Sequence, residues 1–247
     1  MTPEERRARF AAVHLYLVAP LTPHGRTLLD VATHAIAGGV DALQVRDKTA
    51  TDDELVTALR ILRPLCDLTG TLLVLNDRPD LAVAGGADAV HVGQGDMPVE
   101  EARAIVGDDL LIGLSTHTVE QVDLAHAGGP TGNVLAIPDH IGVGPIHATP
   151  TKAEAAPIGT ALVQHAAGAP SRDDVRSDPA RDARGGARTL STGGLPFVAI
   201  GGIDTTTIGA VLDAGAPRVA VVRAIADADD PRAAAALLRH AVDARRR

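Results

Sequence analysis

Eight short apolar segments, separated by helix-like stretches, constrain the fold more than any other feature of the sequence. Each has four or five residues, which is too short for a helix, and each is bounded by Gly, Pro or Asp. They lie at 14–18, 42–45, 72–75, 89–92, 110–114, 140–143, 197–200 and 219–222. Regular alternation of strand and helix predicts parallel strands joined by right-handed crossovers.

The segments between these strands carry helical periodicity. The clearest is 52–68, in which Leu55, Leu59, Leu62 and Leu65 fall on one face. Residues 100–106, 119–127 and 206–214 have the same character. The chain has 247 residues, and a (β/α)8 barrel needs about 250. The sequence therefore predicts an α/β fold, a single (β/α)8 TIM barrel over residues 1–247.

Two further features bear on this organisation. The stretches 37–42 and 84–89 are nearly identical, AGGVDA and AGGADA, and 214–216 is a partial third copy; each precedes a strand. Ordinary helix-stop chemistry explains any one copy, but their number favours a repeated unit. Residues 168–194 hold five Arg and four Asp with little apolar periodicity, which predicts a flexible insertion.

Charge and hydropathy exclude several classes of partner. The formal net charge of −8 argues against a nucleic-acid surface, which needs a basic stripe. No apolar run reaches the roughly 18–20 residues that cross a bilayer, and the charged N-terminus has no signal-type segment. We therefore predict a soluble cytoplasmic protein without membrane contact. The single cysteine, Cys66, is interpreted as a small buried apolar group.

In a (β/α)8 barrel the chemistry lies at the carboxyl ends of the strands. Alternation along the second strand places Gln44, Arg46 and Lys48 on one side. Two cations beside an amide suit a polyanion such as diphosphate. A solvated strand end with ordinary salt bridges is the alternative.

Two aspartates follow the third and fourth strands, Asp77 and Asp96. Carboxylates on adjacent strand ends can share one hard cation, and Mg2+ binds one or two carboxylates together with water and substrate phosphate. The alternative is helix capping, because both residues precede a helical segment. Together, and beside a cationic strand end, they favour a metal site.

The remaining strand ends carry phosphate-binding chemistry. Ser115 follows the fifth strand, although an ordinary helix N-cap would explain it equally well. Thr149, Pro150, Thr151 and Lys152 follow the sixth, in a loop that either closes over an anion or is simply polar. Gly201 and Gly202 follow the seventh strand, and Val222 and Arg223 end the eighth, where this fold often binds phosphate. The histidines lack zinc-ligand spacing; His91 suits a core position, and His117 is a weak ligand candidate.

Six of these motifs together resemble the thiamine-phosphate synthase family. They are QVRDK at 44–48, NDRPDLA at 76–82, HVGQGDMP at 91–98, GLSTHT at 113–118, GVGPIHATPTK at 142–152 and AIGGI at 199–203. Each motif is short, but six in the family's order over nearly the whole chain are specific.

The resemblance implies a role for each matching residue. A pyrimidine diphosphate would be held by Gln44, Arg46, Lys48, Asn76, Ser115 and Lys152. The thiazole phosphate would contact Thr149, Pro150, Thr151, Gly202, Val222 and Arg223. Asp77 and Asp96 would bind Mg2+, and Lys48, Ser115 and Lys152 would be catalytic. Arg223 stands where family members commonly have serine, so it either grips the thiazole phosphate or turns away into a salt bridge.

The implied activity is a Mg2+-dependent transferase of thiamine biosynthesis. It would join 4-amino-2-methyl-5-hydroxymethylpyrimidine diphosphate to 4-methyl-5-(2-phosphoethyl)thiazole, giving thiamine phosphate and diphosphate. Two alternatives stay open, a thiazole tautomerase and a non-catalytic sensor of thiamine precursors. A phosphate-binding barrel of another pathway is a third, although it does not predict the Asp77–Asp96 pair.

Overall fold

The chain forms a closed barrel of eight parallel strands in a computed structural model that describes residues 1–149, 156–168 and 194–245. Each strand pairs with its neighbours in sequence, and β8 pairs with β1. The strands are β1 (Leu15–Ala19), β2 (Ala42–Val45), β3 (Leu72–Asn76), β4 (Ala89–Val92), β5 (Leu111–Thr116), β6 (His140–Val143), β7 (Phe197–Ile200) and β8 (Val219–Val221).

Helices surround the barrel and connect the strands. They are α1 (Pro3–Ala11), α2 (Leu28–Ala37), α3 (Asp52–Thr69), α4 (Pro79–Gly85), α5 (Val99–Val106), α6 (Val119–Ala127), α7 (Ala161–Gly168), α8 (Ile208–Asp213), α9 (Arg223–Ala226) and α10 (Pro231–Ala244). Two short 3-10 turns lie at Pro23–Gly25 and Val134–Ala136.

The prediction of a (β/α)8 barrel is confirmed. All eight predicted strands are present within one or two residues of the expected ends, and the four predicted helices match as closely. The fourth starts at Ile208 rather than 206, because the side chain of Asp204 accepts hydrogen bonds from Thr206 and Thr207 and holds them in a turn. Cys66 is buried, as expected. The predicted insertion at 168–194 lies almost wholly outside the described residues.

Strand alternation divides the core into two layers. Side chains of one parity pack between strands and helices; they include Leu17, Leu43, Leu75 and Val90, all fully buried. Side chains of the other parity fill the barrel interior, where Val18, Leu72, Val74, Leu111 and Val198 form a separate cluster. The small interior side chains leave space toward the carboxyl ends of the strands.

Helix α1 closes the amino-terminal end of the barrel. It begins with a capping box in which the Thr2 hydroxyl accepts from the Glu5 amide and the Glu5 carboxylate accepts from the Thr2 amide. At its other end Phe10 enters the barrel and stacks on the ring of His140, with ring centroids 4.1 Å apart. Phe10 and His140 therefore close the cavity on this side, and its lining residues extend to the carboxyl ends of the strands.

Three aspartates fasten neighbouring strands at this amino-terminal end. Asp41, Asp88 and Asp139 precede β2, β4 and β6. Their carboxylates accept backbone N–H groups from the start of the preceding strand at 2.8–3.1 Å, and each also pairs with an arginine. We call each such Asp a strand clip. The repeated AGGVDA and AGGADA segments supply two of the three, which gives the internal repeat a structural role.

No helix among the described residues is both long and apolar enough to span a lipid bilayer. The cytoplasmic location stays a prediction.

Candidate functional site

A cavity of about 460 Å3 opens at the carboxyl ends of the strands, within the usual range for small-molecule sites. Residues from all eight strands or the loops that follow them line it. The predicted site residues among them are Gln44, Arg46, Lys48, Asn76, Asp77, Asp96, Ser115, Thr149, Gly202, Val222 and Arg223. Eleven side chains or backbone positions chosen from sequence therefore meet in one place.

The end of β2 supplies the cationic part of the cavity. Gln44 is buried, and its Nε2 donates to the Tyr16 hydroxyl at 2.9 Å. Arg46 and Lys48 follow on the same side and face the cavity. Between them the Asp47 carboxylate turns away and accepts from Leu21 N and Thr49 N at 3.2 and 3.0 Å. This turn holds the strand end, so both cations are presented to the cavity rather than scattered over the surface.

Asp77 and Asp96 face each other across the ends of β3 and β4, within hydrogen-bonding reach. Burial and then the neighbouring Asp96 raise the pKa of the Asp77 carboxyl to about 6, although Lys48 and Arg46 oppose this. Asp77 also has φ of +65°, a left-handed conformation that Asp tolerates better than most residues. Two carboxylates held this close, one on strained backbone, are typical of a functional site rather than a structural one.

Neither aspartate caps a helix, so the alternative explanation of this pair does not hold. Helix α4 has Arg78 at its N-cap and α5 has Pro98, and neither of these residues makes a side-chain capping hydrogen bond. The Asp96 carboxylate instead accepts from Gly93 N at 2.8 Å within its own turn.

The donor set of this pair fits Mg2+. Both donors are hard carboxylate oxygens, and mutual repulsion makes the pair favour a cation. Among the described ranges no group of three or more His, Cys, Asp or Glu could hold a metal. A Mg2+ ion held by this pair would have two carboxylate ligands from the described residues, and its other positions would be open to water and substrate oxygens.

Ser115 lies on β5 with its side chain in the cavity, 3.0 Å from Nε2 of His91. It does not cap the following helix, because Thr118 takes that position and accepts from Gln121 N. Gln94 Nε2 donates to the Ser115 carbonyl at 2.7 Å and supports the strand end. The Ser115 hydroxyl is thus available to a ligand rather than used for helix capping.

The opposite half of the cavity is built from close backbone contacts after β6 and β7. Gly201 and Gly202 have φ of +108° and +62°, and a Cβ on Gly202 would lie 2.7 Å from Cβ of His147. Only glycine allows these loops to approach each other this closely. The Gly144–Pro145 peptide is cis, and Thr149 lies just beyond it on the cavity edge.

Val222 and Arg223 complete this half at the junction of β8 and α9. Arg223 is exposed at the cavity mouth, and within the described ranges its guanidinium is in none of the ion pairs. Contact with the thiazole phosphate requires Arg223 at the cavity, and the residue does line it.

Three predicted site residues, Pro150, Thr151 and Lys152, lie outside the described residues. Sequence reasoning missed the polar floor of the cavity, formed by Tyr16 and His140, and gave His91 no more than a core role. Strand alternation was the available signal, since Tyr16, His91 and His140 have the inward parity of their strands. His117 lines the cavity, and its Nδ1 hydrogen-bonds the Gly144 carbonyl.

Comparison with known proteins decides the family. A family model described as "Thiamine monophosphate synthase" matches residues 15–225. The chain belongs to the thiamine monophosphate synthase family. The resemblance inferred from six short motifs is thereby confirmed.

Named relatives agree with this assignment. A thiamine-phosphate synthase of Saccharopolyspora erythraea is 41% identical, and the match covers 94% of each chain. One of Gloeobacter violaceus is 40% identical over 91% of this chain, which spans only 56% of that relative's length. Among solved structures, thiamine phosphate pyrophosphorylase from Pyrococcus furiosus matches with a TM-score of 0.73 and 28% identity, over 97% of this chain and 98% of that one.

Proposed function

We propose that this chain is a thiamine-phosphate synthase, a transferase that moves a pyrimidinylmethyl group from diphosphate to the nitrogen of a thiazole phosphate. One observation carries the proposal. A single cavity has a carboxylate pair with two cations and a hydroxyl on its β2–β5 side, and a glycine-lined loop with an arginine on its β6–β8 side. Two substrates, each with its own phosphate, fit two such halves that face each other.

The pyrimidine diphosphate is assigned to the β2–β5 half. Arg46 and Lys48 would neutralise diphosphate oxygens, while Asn76 and Ser115 would donate hydrogen bonds to them. Asp77 and Asp96 would hold Mg2+, which lowers the charge that accumulates on the leaving diphosphate. Gln44 lies deeper in the barrel, where it can orient the pyrimidine ring. Lys152, with Pro150 and Thr151, is kept as a proposed contact on sequence alone.

The reaction breaks the C–O bond between the pyrimidine methylene and diphosphate, and forms a C–N bond to the thiazole nitrogen. The electron-rich aminopyrimidine stabilises positive charge at that methylene, so we propose a dissociative path. The thiazole nitrogen carries no proton, and therefore the step needs no general base. This chain's residues would bind the departing anion, align the two rings and exclude water.

The thiazole phosphate is assigned to the β6–β8 half. Loops after the last two strands commonly bind phosphate in this fold. The backbone at Gly202 and Val222 and the side chains of Thr149 and Arg223 lie around this part of the cavity.

Product formation tests the proposal directly. Folded protein is incubated with both substrates, with Mg2+ or with a chelator, and products are quantified by mass spectrometry. Thiamine phosphate and diphosphate in equal amounts, lost with chelator, are the expected result. Absence of product from protein that still binds either substrate would favour the tautomerase or the sensor instead.

Replacing Arg223 with alanine is expected to raise the KM for the thiazole phosphate and to change kcat little. A charge-assisted hydrogen bond contributes about 1.5–3 kcal/mol, which corresponds to roughly a 10- to 150-fold rise in KM. Steady-state kinetics with each substrate varied in turn provide the measurement.

Arg232→Ala is the matched control, because it removes the same charge from the exposed face of α10. It should leave both KM values unchanged. If Arg223→Ala behaves like this control, then the Arg223 side chain does not contact the phosphate.

A further inference from the structure

His140 is a buried imidazole that the proposed chemistry leaves unexplained. It begins β6 inside the barrel, is 1% exposed and lines the floor of the cavity. Within the described part of the chain, neither of its ring nitrogens has a hydrogen-bond partner. Burying a polar group without a hydrogen-bond partner destabilises a protein by about 1–3 kcal/mol. We therefore expect a ligand, a water molecule or a neighbouring side chain to form a hydrogen bond with this ring.

The ring is neutral at physiological pH. Burial, and then the nearby His91, hold the pKa of His140 well below its usual range. A neutral imidazole has one N–H donor and one acceptor nitrogen. His140 therefore offers a directional hydrogen bond rather than a charge.

A glycine brings His140 and His91 together. In the strand register, Gly113 of β5 lies between His91 of β4 and His140 of β6. A Cβ at Gly113 would lie 2.3 Å from Nε2 of His140 and 2.4 Å from Nδ1 of His91. Both nitrogens consequently face the same small space above Gly113, and the structure has no direct hydrogen bond between them. One bridging water can connect them.

The other nitrogen of His91 contacts Ser115, with Nε2 3.0 Å from the Ser115 hydroxyl oxygen. If Nε2 carries the proton, it donates to this oxygen, and the serine O–H remains available to an anion. In the opposite tautomer the serine would donate to His91 instead, and its proton would be lost to the ligand. Which tautomer forms depends on what the other ring nitrogen meets.

We propose that His140 is a positioning residue that fixes the tautomer of His91 and thereby directs the Ser115 hydroxyl toward the bound diphosphate. The N–H of His140 is linked to Nδ1 of His91 through a bridging water, which keeps that nitrogen an acceptor. The proton of His91 then lies on Nε2, against Ser115. This inference rests on the proposed function in one respect, namely that Ser115 binds the diphosphate.

The first test is the tautomer itself, read by 15N NMR of histidine-labelled full-length protein. In the native chain His91 is expected to be protonated on Nε2 alone. In His140→Phe, which keeps the aromatic contact with Phe10 but has no N–H, His91 is expected to populate both tautomers. His140→Gln, which keeps an N–H donor, should restore the native pattern. Protonation of His91 on Nδ1 in the native chain would overturn the inference, even if His140→Phe fails to fold.

The second test is kinetic. His140→Phe should raise the KM for the pyrimidine diphosphate at least about fivefold and leave the KM for the thiazole phosphate unchanged. The same substitution in a Ser115→Ala background should add no further effect, because the hydroxyl it directs is gone. Additive losses, or equal changes in both KM values, would show a merely structural role. If the native chain makes no product, the proposed function fails while the NMR result still decides this inference.

Discussion

Replacing Asp77 with asparagine is expected to abolish most turnover and, at the same time, to stabilise the fold at pH 8. Turnover should fall by at least about 100-fold, because Mg2+ stabilisation of a departing phosphate oxygen amounts to several kcal/mol. Asparagine keeps the left-handed backbone at this position, φ +65°, as readily as aspartate does. Alanine would add backbone strain there, so asparagine is the cleaner substitution.

The gain in stability follows from the sign of the pKa shift. The folded state binds a proton at Asp77 more tightly than the unfolded chain does, since the pKa rises from 3.8 to about 6. Stability therefore falls as the pH rises from about 3.8 to 6, and the full penalty is present above 6. Asp77→Asn removes this penalty, so its melting temperature in EDTA should exceed that of the native chain at pH 8 and differ less at pH 4.

Asp80→Asn is the matched control three residues away. Its exposed carboxylate has a lowered pKa through its hydrogen bond to Arg78, so its removal should give no stability gain and no loss of turnover. Saturating Mg2+ should stabilise the native chain and not Asp77→Asn. Near-normal turnover of Asp77→Asn at high Mg2+ would eliminate the metal role, and a lower melting temperature at pH 8 would contradict the repulsion argument.

The second large effect is expected at the opposite end of the barrel, where Asp139→Ala should destabilise the fold without touching the site. Asp139 accepts from Ile112 N at 2.9 Å and pairs with Arg103, and both side chains are only 5% exposed. Truncating one member of a buried pair leaves an uncompensated charge and costs about 3–5 kcal/mol. For a chain of this size that lowers the melting temperature by roughly 6–20 °C.

Two further variants separate the buried pair from a general charge effect. Arg7→Ala removes a partly exposed partner of Asp139 and should cost less than about 1 kcal/mol. Arg103→Met combined with Asp139→Ala should recover part of the lost stability, since it removes the stranded charge. Differential scanning calorimetry of each variant measures its melting temperature and its unfolding enthalpy. A melting temperature for Asp139→Ala within a degree of the native value would show that the strand clip contributes little.

Much of the barrel was predictable because its signals are local. A strand such as Ala42–Val45 is short, apolar and bounded by turn residues, and helix Asp52–Thr69 has leucines at helical spacing. The predicted strand-end residues within the described ranges meet in one cavity because parallel strands bring their carboxyl ends together. That rule alone predicts that Asp77 and Asp96 lie close to each other and to Arg46 and Lys48.

What the sequence did not reveal depends on contacts between distant residues. The stacking of Phe10 on His140 joins α1 to β6, and the strand clips depend on arginines far along the chain. No periodicity encodes such pairings. Gly113 was read as part of a motif, whereas its role is to make room for two imidazoles, which is visible only in the register.

The strand clips also bear on how the chain assembles during synthesis. Asp41 binds β1, Asp88 binds β3 and Asp139 binds β5, each across no more than 27 residues. The aspartate of each clip is therefore synthesised soon after the strand whose backbone it binds, even where its arginine partner, such as Arg239 for Asp41, comes much later. Successive strand pairs can associate in the order in which they are translated, whereas the closure of β8 onto β1 and the pairing of Arg239 with Asp41 must wait for the end of the chain.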